Sequence, residues 1–333
     1  MPVIETRVDT NSADFQKNRK DMLARIKEFR DLEAKSQAEE ESKREKYHKR
    51  GQILPRERVN LMLDRGSPFL ELQTLCGYQQ HDDKDGSLAG GNTIIGIGYV
   101  SGVRCMVTAS NSAIKGGTMT PWGVQKTLRI QEIALDQKLP VISMIESGGA
   151  NLLYQAEVFI PGGKTFANQC RMSAAGIPQI TVVHGSSTAG GAYMPGLSDY
   201  TVMVRKRAKV FLAGPPLLKS ATGEIADDED LGGAEMHTQV AGTAEFIAEN
   251  DSDGIRIARD IVANLEWNQK RPKLELLPIR APLYAPEEIA GVVPVDYRKP
   301  FDCREVIARL VDASEFLEFK GCLLYTSPSP RDS

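Results

Sequence analysis

Two short glycine runs hold the residues from which chemistry could be built. The first is Ser147-Gly148-Gly149-Ala150, at the end of the apolar run "LPVISMI". The second is Ala189-Gly190-Gly191-Ala192, which follows "PQITVV" about forty residues later. Each contains Gly-Gly-Ala, and neither contains a convincing side-chain base. A buried strand that ends in a small-residue loop before a helix can leave backbone N–H groups unpaired, backed by a helix dipole. Glycine there lets a ligand come close to the backbone. A tight strand-to-helix turn is the plainer reading of either copy; two copies at consecutive strand ends favour paired donors. Backbone donors without a base suit stabilisation of an oxyanion whose proton chemistry is done by something else.

Other catalytic motifs are excluded by spacing. "HGSSTAGG" is not a nucleophile elbow, because the residue two after Ser187 is Ala189 and not glycine. No phosphate-binding G-x-x-x-x-G-K-[ST] is present, and "GGNTIIGIG" lies in a hairpin, not before a helix. The four histidines, His48, His81, His184 and His237, have no metal partner at helical spacing. His184 lies near a strand end, close to a site and as a possible ligand contact; His48 and His81 read as surface residues. Glu146, just before the first loop, reads as a capping or ion-pairing carboxylate before a general base. The five cysteines are odd in number and lack C-x-x-C spacing, so neither a disulfide framework nor a zinc ribbon is expected. Cys170 falls in a helical pattern among small and apolar residues and reads as a buried thiol.

The elements that must position these loops are legible in outline. "TIIGIGYV", Ser101-Gly102 and "VRCMVT" predict a hairpin with a two-residue turn. "GVQKTLRIQEIALDQK" predicts a helix with Val124, Leu128, Ile130, Ile133 and Leu135 on its apolar side. "LPVISMI" and "PQITVV" read as strands buried on both faces. "KTFANQCRMSAAG" reads as a helix stopped by Gly176, and "YTVMV" and "KVFLAG" as further strands. Alternation of strands and helices predicts α/β layers with right-handed crossovers. Residues 14 to 50 predict an amphipathic helix followed by a solvated charged one. "LPRERVNLMLD" predicts another helix, opened by Pro55 and with Val59, Leu61, Met62 and Leu63 on its apolar side.

Composition sets few limits. The 333 residues allow one large domain or two ordinary ones. With 41 basic and 44 acidic residues, nothing calls for nucleic acid or an anionic membrane as partner. No apolar run approaches a membrane span, and the N-terminus shows no signal core, so the cytoplasm is the expected location.

Longer motifs carry a resemblance. "KYHKRGQILPRERVNLMLD", "SNSAIKGGTMTPWGVQKTLRIQEIA", "ESGGA", "QAEVF", "MSAAGIPQITVVHGSSTAGGAYMPGLSDYTVMV", "VFLAGPPLLKSATGE" and "DLGGAEMHTQVAGTAE" resemble the carboxyltransferase (β) subunits of biotin-dependent acyl-CoA carboxylases, over roughly residues 45 to 320. The methylcrotonoyl-CoA and geranyl-CoA branch is the nearest. The resemblance implies an α/β, crotonase-like (ClpP/crotonase) fold with stacked β-sheets and surrounding helices. It implies acyl-CoA as substrate, biotin as carboxybiotin on a partner carrier domain, and no metal in this subunit. Partners would be the biotin carboxylase and biotin carrier subunit, and further copies of the chain in a dimer-based assembly, by family resemblance a hexamer. The oxyanion hole would map onto Gly149, Ala150, Gly190 and Gly191. Substrate would also meet Ser147, Gly148, Lys115, Gly116, Gly117, Ala189, Ala192 and Tyr193. Residues 1–280 would form a first crotonase-like domain with a helical extension, and 281–320 the start of a truncated second one. Residues 321–333, "GCLLYTSPSPRDS", have no counterpart in the family and read as non-native, so the chain is expected to be inactive alone.

Two rival readings stand beside this one. Another crotonase-like acyl-CoA enzyme, a hydratase or decarboxylase, is possible; a hydratase would want carboxylates near the loops, and Glu146, Glu157 and Asp199 are the candidates. The other rival is an inactive acyl-CoA-binding fragment.

Overall fold

The computed structural model describes residues 2–270 and 278–318; the expected non-native tail, 321–333, lies outside them. Contacts divide the chain into two compact units, residues 32–272 and residues 1–31 with 273–333.

The larger unit is built on eight strands: β1 (Leu70–Glu71), β2 (Thr93–Val100), β3 (Val103–Ser110), β4 (Val141–Ser147), β5 (Gln179–Thr188), β6 (Tyr200–Val204), β7 (Lys209–Phe211) and β8 (Phe246–Ala248). They form one sheet in the order β1-β2-β3-β4-β5-β6-β8, with β7 also beside β5. The predicted hairpin is β2–β3, whose turn residues Ser101 and Gly102 both take positive φ (49° and 75°). That geometry matches the right-handed twist of the flanking strands. From β3 onward the neighbours run parallel, as the strand–helix alternation predicts. Val141–Ile145 are all buried, which is why that stretch reads as an unbroken apolar run.

Helices cover both faces. The long helix α1 (Ala13–Glu41) is followed by α2 (Arg44–Lys49), α3 (Pro55–Met62), α4 (Pro121–Gln137), α5 (Gln155–Ala174), α6 (Tyr193–Gly196), α7 (Pro215–Thr222), α8 (Asp228–Gly232) and α9 (Asp251–Asn264). On one face Val59 and Met62 of α3 and Ile255, Ala258 and Val262 of α9 pack against Ile94, Cys105 and Val107. On the other, Ile130 and Ala134 of α4 and Met172 of α5 pack against Ile95 and Met106. Neighbours in sequence thus serve opposite cores, as the two-residue strand period requires.

The expected sheets are joined, among the described residues, into one connected sheet through β5. The ten-residue β5 is long enough to pair β6 through Ile180–Val183 and then β7 through Ser186–Thr188. Three expectations are corrected. The two N-terminal helices are one 29-residue helix, α1, with only short α2 after it. The buried side of α3 is Pro55, Arg58, Val59 and Met62, while Leu61 is exposed; the charged Arg58 occupies a stripe position. Cys170 is exposed, because the buried positions of α5 run Val158, Gly162, Thr165, Asn168, Gln169, Met172 and miss it.

In the smaller unit, Val3 bridges Glu315, and the Glu305 carboxylate accepts from Thr6 Oγ1 (2.5 Å) and Arg7 N (2.7 Å). Helices α10 (Ile289–Val292) and α11 (Cys303–Ile307) belong here. Arg309, fully buried, binds Glu288 and Glu305 and lies over the Tyr284 ring. Residues 2–31 therefore group with the segment expected to open a second domain. Among the described residues, no helix is long and apolar enough to cross a membrane.

Candidate active site

The first loop extends β4 and is held from one side. Segment 115–119, which follows β3, supplies the partners. Gly148 N donates to Gly116 O (3.0 Å), Met119 N to Gly149 O (2.9 Å) and Asn151 N to Met119 O (3.0 Å). Ser147 Oγ donates to Gly117 O (3.2 Å) and accepts from Gly149 N (3.1 Å). The Met119–Ala150 pair is a parallel bridge in which Met119 supplies both bonding groups. The N–H of Ala150 therefore points away from that segment. In the strand order that is the side of β5 and the second loop.

The second loop is a 3₁₀ turn, Ala189–Ala192, entered through Ala189 at φ 50°. Its first internal bond falls to Gly191, so the N–H of Gly190 has no partner in the turn. Ser187 Oγ donates to Gly191 O (2.9 Å). The two loops face each other closely. A Cβ on Gly191 would lie 3.8 Å from Ser147 Cβ, and one on Gly149 would lie 3.9 Å from Thr188 Oγ1. Two backbone donors on facing loops can together hold an anionic oxygen.

Beside the loops lies a cavity of ≈ 110 Å³ between the sheet and helices α4 and α5. Gly117, Ser147, Gly190 and Gly191 are the predicted site residues on its wall, joined by Ser187. Gly148, Gly149, Ala150, Lys115, Gly116, Ala189, Ala192 and Tyr193 are not part of the wall. Lys115 borders a smaller recess, where its ammonium pairs with Asp82 (2.6 Å), which also accepts from Tyr154 Oη (2.7 Å). Tyr193 stands against Phe166, with ring centroids 4.8 Å apart. Inside, the cavity wall holds Thr165 and three glutamines, Gln131, Gln169 and Gln179, whose side-chain amides donate to the backbone carbonyls of Thr165, Met194 and Gln169 respectively. No side chain on the described wall is titratable. Buried Lys126 stands behind it, donating to Gly90 O and Thr93 O, and burial pulls its ammonium down to about 8.

His184 does not reach the cavity. It is fully buried, with Nδ1 2.9 Å from Asp251 Oδ1. Burial, then the charge of Arg58, holds its imidazole below the usual range. Burial raises the Asp251 carboxyl, but its bond to His184 and the charge of Arg58 prevail and hold it well below the carboxylate range. Glu146 ion-pairs with Arg58 (2.8 Å), as its reading as a pairing group expects. Glu157 pairs with His81, and Asp199 accepts from Gln179 N (2.8 Å); neither lines the cavity. Arg58 and Asp251 escaped the sequence reading. The only signal was a charge on the apolar stripe of α3 and an acid in the first turn of α9. Among the described residues, no group of three His, Cys, Asp or Glu side chains could hold a metal.

Residues 46–323 match the family model "Carboxyl transferase domain". The chain is 49% identical over 319 residues to the probable biotin-dependent acyl-coenzyme A carboxylase beta2 subunit of Mycobacterium tuberculosis, covering 96% of this chain and 59% of that one. It is 44% identical over 322 residues to the mitochondrial methylcrotonoyl-CoA carboxylase beta chain of Dictyostelium discoideum, covering 96% and 54%. The crystal structure of the P. aeruginosa geranyl-CoA carboxylase beta subunit superposes with a TM-score of 0.87 at 59% identity, covering 96% of this chain and 59% of that one. The chain thus spans a little over half the length of these relatives. Its α/β sheet with surrounding helices is the crotonase-like fold of the carboxyltransferases, and the chain belongs to the carboxyl transferase domain family.

Proposed function

We propose that this chain is the acyl-CoA half of a carboxyltransferase, which stabilises a thioester enolate while a carboxyl group is transferred from carboxybiotin to the acyl chain. One observation carries the reading: facing loops offer unpaired backbone donors beside a cavity with no titratable side chain on its described wall. A hydratase needs a carboxylate there, and Glu146, Glu157 and Asp199 are all engaged elsewhere. A wall without a base fits a co-substrate that brings its own proton acceptor. Carboxybiotin, carried on a partner, supplies the carboxyl group and that acceptor.

The chain's own work is electrostatic. Of the four residues expected to form the oxyanion hole, Ala150 and Gly190 have N–H groups free to act. Gly149 donates to Ser147 Oγ, and Gly191 closes the turn. Each such donor contributes roughly 3–4 kcal/mol to a developing oxyanion. The gain is concentrated in the enolate, because the ground-state carbonyl carries little charge. The cavity beyond the loops receives the acyl group, and the names of the relatives favour a branched unsaturated one of the methylcrotonoyl or geranyl kind. Lys115, Gly116 and Gly117 belong to the segment beside the first loop, Ala189 and Ala192 are the ends of the second, and Tyr193 follows it.

The same reading includes a biotin carboxylase and carrier subunit as partner, a dimer-based and hexameric assembly, and a cytoplasmic location. Residues 281–320 would open a second crotonase-like domain. Calorimetric titration of the chain with 3-methylcrotonoyl-CoA, geranyl-CoA and CoA tests the first step. Saturable binding of the thioesters, tighter than that of CoA, is expected. No saturable binding at millimolar thioester would overturn the proposal.

A further inference from the structure

The two loops do not leave their strands in register. Between the pairs Ile145–Val183 and Ser147–Ser187, β4 advances two residues while β5 advances four. Glu146 alone therefore faces His184, Gly185 and Ser186. Its side chain lies across Gly185, where an added Cβ would come within 2.7 Å of Glu146 Cγ and 2.8 Å of Cδ. Fully buried Arg58 spans the irregularity. Its Nη1 is 2.8 Å from Glu146 Oε2, and its Nη2 is 3.3 Å from Asp251 Oδ2. Asp251 in turn holds His184 of β5. Ser112 Oγ adds a bond to Glu146 Oε2 (2.9 Å) and itself accepts from Tyr47 Oη (2.8 Å). One guanidinium thus ties the last residue of β4 before the first loop to the strand that carries the second.

We infer that Glu146 is a positioning residue: clamped by Arg58 over Gly185, it fixes the offset between the strand ends and so the convergence of the Ala150 and Gly190 N–H groups. The inference rests on the proposed oxyanion hole and deepens it. A two-versus-four advance is costly to leave unsupported, because it removes ladder bonds from β5. The Arg58–Glu146 pair supplies charge-assisted bonds in their place. Glu146 touches no reacting atom; it acts through the loop that follows it.

The readout is the carbonyl stretch of bound 3-methylcrotonoyl-CoA labelled with ¹³C at its thioester carbon, recorded by infrared difference spectroscopy at saturating ligand. Donors on the oxygen shift this band to lower frequency. The wild-type chain is expected to show the shift, Glu146→Gln to keep most of it, and Glu146→Ala to return the band to its free-ligand position while still binding. A merely structural role would lower the melting temperature and leave the band of the bound ligand unmoved, and that result overturns the inference. Where Glu146→Ala does not fold, Gly185→Ala gives the same reading. Its backbone φ is not left-handed, every charge is kept, and only the carboxyl is displaced. A band there that keeps the full wild-type shift also overturns the clamp. An unshifted band in the wild type means instead that no oxyanion hole exists, which removes the proposed function and this inference together.

Discussion

The first and second glycine loops share a sequence plan and differ in how they are held. The first is tied to segment 115–119 by three backbone bonds and the Ser147 hydroxyl. The Ala150 N–H is turned the other way. The second is a single 3₁₀ turn held by Ser187 Oγ, with Ala189 in the left-handed region and both Ala189 and Gly190 exposed. A donor in the first loop is therefore preset by the sheet, whereas a donor in the second sits on a turn free to adjust. Similar residues give different mechanics because a loop inherits its rigidity from the strand beside it. Segment 115–119 lies beside the first loop, and β7 reaches only the last residues of β5 before the second.

If the first loop is the preset half, deleting its donor has the largest effect. Ala150→Pro removes the N–H, and transfer should fall by about 10²–10³-fold in kcat. Under the proposed function, the measurement uses a chain of the relatives' length together with a biotin-bearing partner. Acyl-CoA affinity should change far less, and Ala150→Gly should keep most activity. A correctly folded Ala150→Pro protein with near-normal turnover would leave the second loop as the sole donor.

Disturbing the support of the first loop ranks next. Gly117 takes φ 67°, and a Cβ there would lie 2.3 Å from Glu146 O. Gly117→Ala should cost about 2 kcal/mol or more, from left-handed strain together with the clash. Chemical denaturation reads this as a lower midpoint. No comparable loss is expected from Gly148→Ala, whose Cβ meets only Thr118 Oγ1 at 3.2 Å and Gly116 O at 3.5 Å.

The buried charges beneath both loops give a pH signature. The folded protein holds the His184 imidazole below its ordinary value, so the unfolded chain binds more protons below about pH 6.5. Stability is then fully present above that pH and declines as pH falls, by at most about 1.4 kcal/mol per pH unit for this group. Asp251, also depressed, adds to the loss only below the usual carboxylate range. Melting temperatures from pH 7.5 to 5 should fall in the wild type and stay flatter in a folded His184→Gln variant. Equal slopes would remove His184 from the account.

The smallest effects mark the adjustable loop. Gly190→Ala should be nearly silent in stability and binding, since its Cβ would meet only Phe166 Cζ at 3.8 Å. Gly191→Ala, 3.0 Å from Ser187 Oγ, should loosen the turn and weaken thioester binding modestly. A Gly190→Ala loss as large as that of Gly191→Ala would show the second loop to be as tightly held as the first.

Local patterning made much of this site legible. The β2–β3 hairpin, the buried β4 and β5 and both glycine loops are written in runs of adjacent residues. What stayed hidden depends on partners distant in sequence. Arg58 and Asp251 meet only because α3 and α9 pack on one face of the sheet, nearly two hundred residues apart. The Ala150 donor is free because Met119, thirty-one residues earlier, takes the bonds on one side of the loop. Cys170 misled because an apolar neighbourhood in sequence is not a stripe position on a helix. The fork at β5 follows from strand length, which a run of apolar residues does not delimit.

The most direct test is a crystal structure of this chain with a bound 3-methylcrotonoyl-CoA or a stable thioester analogue. The account predicts the thioester oxygen about 2.7–3.1 Å from both the Ala150 and Gly190 nitrogens, with the acyl group in the cavity between the sheet and helices α4 and α5. A thioester oxygen bonded to side chains or water, with both of those nitrogens left out, would contradict it.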